Sequence, residues 1–246
     1  MKEKILTREI VEKLGLNKVS VITADMLAEY TSIGFQAFEG CHNLTSVTIG
    51  DSITSIGVYA FANCLGLTSV MISNSVMYIE SSAFYYCIHL TSIEIPNSVT
   101  NIGSGAFEDC TSLTSVTIPN NGINIGISAF GYCTSLTSVT IGDKTYKLQT
   151  VTDSKCKAYK AFNSDMTCRG FQYKEGELYE LDGTPKLCEH GFHACLCLTD
   201  VFNYYCGKLG KGIHIHEVEL ESISDERMRF ESKIVAKKIT IGKRIL

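Results

Sequence analysis

The sequence predicts an α/β solenoid followed by a small α+β domain, and three observations carry that prediction. One pattern, Ile-Gly-x-x-Ala-Phe-x-x-Cys-x-x-Leu-Thr-Ser-Val-x-Ile, is written five times at a spacing of 23 residues, beginning at Ile33, Ile56, Ile79, Ile102 and Ile125. Only Glu80, in place of the glycine, and Ile93, in place of the valine, depart from it. The pattern ends at Ile141 and does not resume. The rest of the chain reads as strands and turns around one helix. A fixed period of this length means stacked units, each burying its apolar face against the next.

The elements follow in order. Residues 1–32 read as a helical N-terminal cap, the atypical end unit a solenoid needs to cover its first apolar layer. Thr7 is placed to cap a helix running to about Leu14, with Gly15 as its stop. Residues 33–141 are the repeats. Within each, the alternation seen at Leu67, Val70 and Ile72 points inward on a short strand and leaves Ser69 and Met71 outside. The Ile-Gly-x-x-Ala-Phe-x-x-Cys segment returns as a helical or irregular turn. Cys41, Cys64, Cys87, Cys110 and Cys133 share one phase of the repeat, which predicts a buried ladder of free thiols. Pro96 and Pro119 follow the third and fourth strands, where no further ladder donor is wanted.

The length, the Ala-Phe-x-x-Cys turn and the Leu-Thr-Ser-Val-x-Ile strand together resemble the BspA-like leucine-rich repeats. That resemblance implies an α/β leucine-rich-repeat solenoid of five copies serving in protein or surface recognition. Many such proteins are exported. The opening Met-Lys-Glu-Lys-Ile-Leu-Thr-Arg-Glu lacks an apolar stretch after its lysines, so a cytoplasmic location is expected instead. No apolar run reaches the length of a membrane span.

Charge narrows the partner. No lysine or arginine lies between Lys18 and Lys144, while that stretch holds Asp25, Glu29, Glu39, Asp51, Glu80, Glu94, Glu108, Asp109 and Asp143. Such a surface repels phosphate backbones, which argues against direct nucleic-acid binding by the repeats and points to a basic protein partner. The outward strand columns are small: Ser46, Ser69, Ser92, Ser115 and Ser138 in one, Thr48, Met71, Glu94, Thr117 and Thr140 in the next. They are poor in the anchors that dominate binding. The turn positions are richer, and the predicted partner surface is Tyr59, Tyr85, Tyr86, Glu108, Asp109 and Tyr132.

Residues 142–157 are read as a linker or closing strand and 158–246 as the α+β domain. Strands are expected at Tyr159–Phe162, Phe171–Tyr173, Leu178–Leu181, Ile213–Leu220 and Ile234–Ile241, with a helix over 200–205 capped by Thr199. The segments Ala158-Tyr159-Lys160-Ala161-Phe162, Cys168-Arg169-Gly170-Phe171-Gln172-Tyr173 and Cys188-Glu189-His190-Gly191-Phe192-His193-Ala194-Cys195 resemble an uncharacterised domain found in phages and gut-type bacteria. The resemblance covers about 158–243. It implies a phage-associated setting, hence a host-cell cytoplasm, and no known reaction.

Three chemistries are weighed in this half. Cys188, His190, His193 and Cys195 have ligand types that suit zinc, but the Cys-x-x-Cys knuckle is missing, and buried structural thiols with a hydrogen-bonded core histidine account for them better. The element order has the outline of an ADP-ribosyltransferase, in which Glu217 or Glu219 would stand by the nicotinamide ribose of NAD and Arg169 or His193 would supply the first-strand group; this is fold-level analogy. His214-x-His216 with Glu221 superficially matches a cupin metal motif. Parity adds a conflict. If Val218 and Leu220 face inward, so does His216; if Ile215 does, so do Glu217 and Glu219. Either a bulge intervenes or a polar group is buried. The reading that follows is a non-catalytic protein-recognition module without a cofactor; the alternative is an ADP-ribosyltransferase-like enzyme with the repeats as targeting arm.

Overall fold

The computed structural model describes residues 3–119, 122–147, 155–163, 167–168, 171–180, 192–195, 213–223 and 233–244. Each repeat makes one circuit with two strands. The Leu-Thr-Ser-Val-x-Ile segments give the longer ones, and the segments around the opening isoleucine give a second set of two-residue strands, all parallel and in register at the 23-residue spacing.

In chain order the N-terminal circuit holds β1 (Ile5–Leu6), α1 (Arg8–Lys13), a 3-10 turn at Leu16–Lys18, β2 (Val21–Ile22) and α2 (Ala24–Leu27). The repeats add β3 (Ser32–Ile33), β4 (Ser46–Ile49), β5 (Ser55–Ile56), β6 (Ser69–Ile72), β7 (Tyr78–Ile79), β8 (Ser92–Glu94), β9 (Asn101–Ile102), β10 (Ser115–Ile118), β11 (Asn124–Ile125) and β12 (Ser138–Ile141). One sheet runs β1-β3-β5-β7-β9-β11 without interruption; the opposite side is divided into β2-β4-β6 and β8-β10-β12, the latter continued by β13 (Lys144–Lys147). The first thirty residues are thus more than a helical cap: α1 stands where later circuits place a turn, while β1 and β2 join the two sheets. Thr7 caps α1 through Oγ1, which accepts from Ile10 N at 3.4 Å, and Gly15 takes φ +69° just beyond its end.

The α part of the solenoid expectation is corrected. Among the described residues of the repeats no helix forms, because every turn contains two residues in the left-handed region that interrupt any right-handed run. One column is Gln36, Tyr59, Ser82, Gly105 and Ser128, at φ 51° to 62°; the other is Gly40, Asn63, Tyr86, Asp109 and Tyr132, at φ 53° to 70°. An L-residue there costs about 1–2 kcal/mol. The compensation comes from the next circuit: Phe61 N donates to Ala83 O at 2.7 Å and Asn63 N to Tyr85 O at 2.8 Å, and equivalent bonds run along the stack. The turn's donors serve its neighbour instead of an i−4 carbonyl.

Two ladders fill the core between the sheets. Phe38, Phe61, Phe84, Phe107 and Phe130 stack with centroids 5.0–5.3 Å apart and ring planes within 4°. Cys41, Cys64, Cys87, Cys110 and Cys133 are all buried and free. The expected cysteine ladder is therefore present.

The last circuit is closed from both sides. β13 turns back antiparallel along β12, with Lys144 opposite Ile141 and Lys147 opposite Ser138. β14 (Lys155–Asn163), longer than expected, then begins the C-terminal sheet. It is followed by the hairpin β15 (Thr167–Cys168) and β16 (Phe171–Gln172), then β17 (Leu178–Glu180), β18 (Phe192–Cys195), β19 (Ile213–Ile223) and β20 (Lys233–Arg244). β14 pairs with β19 and β18, and β20 pairs with β18, β19 and β17, so four of these antiparallel strands form a closed circuit. The helix expected over 200–205 lies outside the described residues.

Both faces of the strand pair β14–β19 are buried. Tyr159, Ala161 and Ile215, on one face, belong to the same apolar cluster as the solenoid core, and the Tyr159 hydroxyl donates to Lys147 O at 3.2 Å. Ala158, Phe162, Val218, Leu220, Ile239 and Ile241 are also buried, with His216 beside them. The parity conflict is resolved by both devices foreseen for it. The β19–β20 register shifts between His216 and Val218, and the polar His216 is buried.

Candidate protein-interaction surface

The repeat register decides which predicted partner residues meet. Tyr86, Asp109 and Tyr132 occupy one left-handed column on three successive circuits, and Tyr85 and Glu108 immediately precede two of them. Tyr86 and Tyr132 are 41% and 58% exposed. Tyr85 and Tyr86 pack at 5.9 Å between centroids. Partial burial pushes the Tyr85 phenol up, and the carboxylates of Asp109, to which it donates a hydrogen bond, and Glu108 push it further. Burial first, and then the Asp109 charge, raise Glu108 as well. The result is an anionic aromatic ridge with a half-buried carboxylate at its centre.

Tyr59 is set apart. It lies in the other left-handed column and meets Phe35 edge to face at 6.4 Å. Phe35, 62% exposed, was not among the predicted residues. The signal for it was present: a phenylalanine in a turn column otherwise filled by Val58, Ser81, Ser104 and Ile127.

Of the candidate catalytic and metal residues, the structure brings Glu217 and Glu219 to one cleft. Glu217 is half-buried opposite Tyr159, on the face of β19 toward the solenoid, and its charge helps raise Tyr146, for which burial is the larger cause. Glu219 is exposed opposite Lys157. Lys157, Glu217 and Glu219, with Thr240 and Gly242, border a cleft of about 240 Å³. Arg169, Cys188 and His190 lie outside the described residues. His193 and Cys195 are placed by backbone pairing alone, opposite Val235 and Lys233. Among the described residues no group of three or more His, Cys, Asp or Glu is gathered as a metal would require.

Sequence reasoning missed one cluster in this half. Lys160 and His216 face each other across β14–β19, both almost fully buried. The Lys160 ammonium lies 5.8 Å from the Phe162 ring and 6.0 Å from Tyr173. His216 meets Phe162 edge-on at 5.4 Å, and its Nδ1 is 2.8 Å from Gly242 O and 3.8 Å from Glu175 Oε2. The aromatic faces thereby offset part of the cost of burying the Lys160 ammonium.

Comparison with known proteins bears on both halves. Residues 156–246 match a domain of unknown function (DUF7666). Among solved structures, a leucine rich cell surface protein from Faecalibacterium prausnitzii A2-165 is 33% identical, covering 50% of this chain and 32% of that one, with a TM-score of 0.46. A leucine-rich repeat protein from Bacteroides ovatus ATCC 8483 is 37% identical over 45% of this chain and 29% of that one, TM-score 0.43. The pneumococcal vaccine antigen PcpA is 28% identical over 51% and 31%, TM-score 0.47. The chain thus spans about a third of the length of these structures. No curated protein matches it. Residues 31–160 match the BspA type leucine rich repeat region, counted there as six copies. With more than half its length in that match, and with the phenylalanine and cysteine ladders in register, the chain belongs to the BspA-type leucine-rich repeat family.

Proposed function

We propose that this protein is a non-catalytic recognition module that binds a basic protein partner through its acidic repeats. Leucine-rich repeat proteins generally bind proteins. The observation that carries the reading is the column Tyr86–Asp109–Tyr132. Two exposed aromatic rings there flank a carboxylate on adjacent circuits, in a stretch that contains no lysine or arginine from 19 to 143. Tyrosines supply large contact area at low entropic cost, and unneutralised carboxylates speed the approach of a cationic surface. The free thiols of the ladder suit a reducing compartment such as the cytoplasm.

The test is affinity capture with the full chain, with Tyr85→Ala/Tyr86→Ala, and with Glu108→Lys/Asp109→Asn. Asparagine is chosen at 109 because it tolerates φ +60°. A specific partner retained by the parent, loosened by moderate salt and lost from both variants is the expected result. Equal retention by all three proteins overturns this surface.

A further inference from the structure

The strand side of the solenoid has a joint that the opposite side lacks. Among the described residues no ladder joins β6 to β8, although β7, between them in sequence, pairs with both its neighbours. The bonds at the ends of these two strands run outward from the joint: Ser73 N donates to Ile49 O at 3.1 Å and Ile95 N to Thr117 O at 2.9 Å. One circuit later, Ser112 N donates directly to Ile88 O at 3.2 Å. At the corresponding place the His89 imidazole takes Leu65 O instead, with Nδ1 at 2.6 Å. The ring thus ties this turn to the preceding circuit beside the joint.

Beside this joint lies a groove of about 580 Å³ running over the C-terminal ends of β6, β8 and β10 to the turn after β12. Met71 borders it at one end, 62% exposed, and Glu94 and Thr117 follow in the same outward column. Pro96 and Asn97 form the rim, and Asp143 stands at the far end. Its charged lining groups, Glu94 and Asp143, are both carboxylates and both exposed. Three strand spacings cover roughly 14 Å, the reach of four to five extended residues.

We propose that this groove binds an extended, lysine- or arginine-bearing segment of the partner. An apolar residue of the segment covers Met71, and its cationic side chains lie toward Glu94 and Asp143. The inference rests on the recognition reading above but assigns a different surface from the tyrosine column, so the two fail separately.

The experiment measures fluorescence anisotropy of a labelled peptide of alternating lysine and valine with the full chain, against the same peptide with glutamate for lysine. Saturable binding of the lysine peptide alone is expected. Glu94→Gln/Asp143→Asn should weaken it about tenfold, the size expected for two exposed charge contacts. Tyr86→Ala should leave it unchanged. Absence of saturable binding, equal binding of the two peptides, or affinity unchanged in Glu94→Gln/Asp143→Asn overturns the assignment. Loss of peptide binding in Tyr86→Ala with retention in the carboxylate variant overturns it too, and leaves the tyrosine column standing. All three proteins are checked for thiol protection, which reports an intact core.

Discussion

The thiol of Cys87 donates to the carbonyl oxygen of Phe61, 3.2 Å away and one circuit earlier. The same bond recurs from Cys64 to Phe38, Cys110 to Phe84 and Cys133 to Phe107, at 3.1 to 3.3 Å. One ladder therefore fastens the other. A sulfur small enough for the interior also gives each of these carbonyls a second donor, beside the backbone N–H of the cysteine three residues on in its own turn.

These thiols make stability depend on alkaline pH. Burial pushes Cys64 and Cys110 up to about 12, and Cys87 well above its ordinary value. In the unfolded chain they ionise near pH 8.5, so the folded state holds more protons above that point and stability falls as pH rises. The loss is on the order of 1 kcal/mol per pH unit for each thiol between about pH 9 and 12. Urea midpoints at pH 7, 9 and 10 should fall across the last two steps. At pH 8 a thiol reagent should leave these three untouched until the chain unfolds.

Phe84 is stacked between Phe61 and Phe107 at 5.2 Å on either side. Phe84→Ala should cost about 3–5 kcal/mol, and Phe84→Leu clearly less, because leucine retains most of the apolar volume. Denaturant unfolding of both variants checks the difference.

At Gly103 an added Cβ would stand 2.3 Å from Ser81 N and 2.5 Å from the carbonyl carbon of Glu80, both backbone atoms that cannot swing aside. Gly103→Ala should destabilise by on the order of 2 kcal/mol, as overpacking does. Hydrogen exchange should quicken in the circuits on both sides of the substitution.

Tyr159 is buried against Tyr146, edge to face at 6.0 Å, while its hydroxyl reaches Lys147 O. Tyr159→Ala should remove the contact between the C-terminal sheet and the last circuit. Exchange protection should fall across β12 and β13 and remain unchanged at β1 and β3. Equal loss at both ends would show that the sheet does not act as a local cap.

The repeats were legible because a strict period leaves few ways to stack them, and each copy repeats the same inward set. The second strand set was not, since two residues such as Ser55 and Ile56 show no alternation to read. Nor was the turn geometry. Glycine marks left-handed backbone at Gly40 and Gly105, but Tyr59 and Tyr86 adopt it while their N–H groups donate to Ser81 O and Glu108 O of the next circuit. The conflict between Ile215 and His216 was visible in the sequence. Which of them would meet the solenoid was not, because that depends on where a separate sheet docks. Met71 and Glu94 are legible as members of a column, but the turn residues that make a groove beside it, Pro96, Asn97 and Asp143 among them, come together only in the fold.

The reversal at β13 has a consequence for how such a chain can grow. Parallel circuits accept another copy wherever a parallel neighbour is offered, so an unfinished end invites both lengthening and association with other molecules. A strand running the other way, carrying Lys144 and Lys147 on its exposed positions, ends that grammar. Duplication of a 23-residue unit can then extend the molecule only by insertion between existing circuits, which leaves both ends as they are and moves the groove relative to the tyrosine column by whole steps. Reach along the solenoid is thereby a quantity that descent can count.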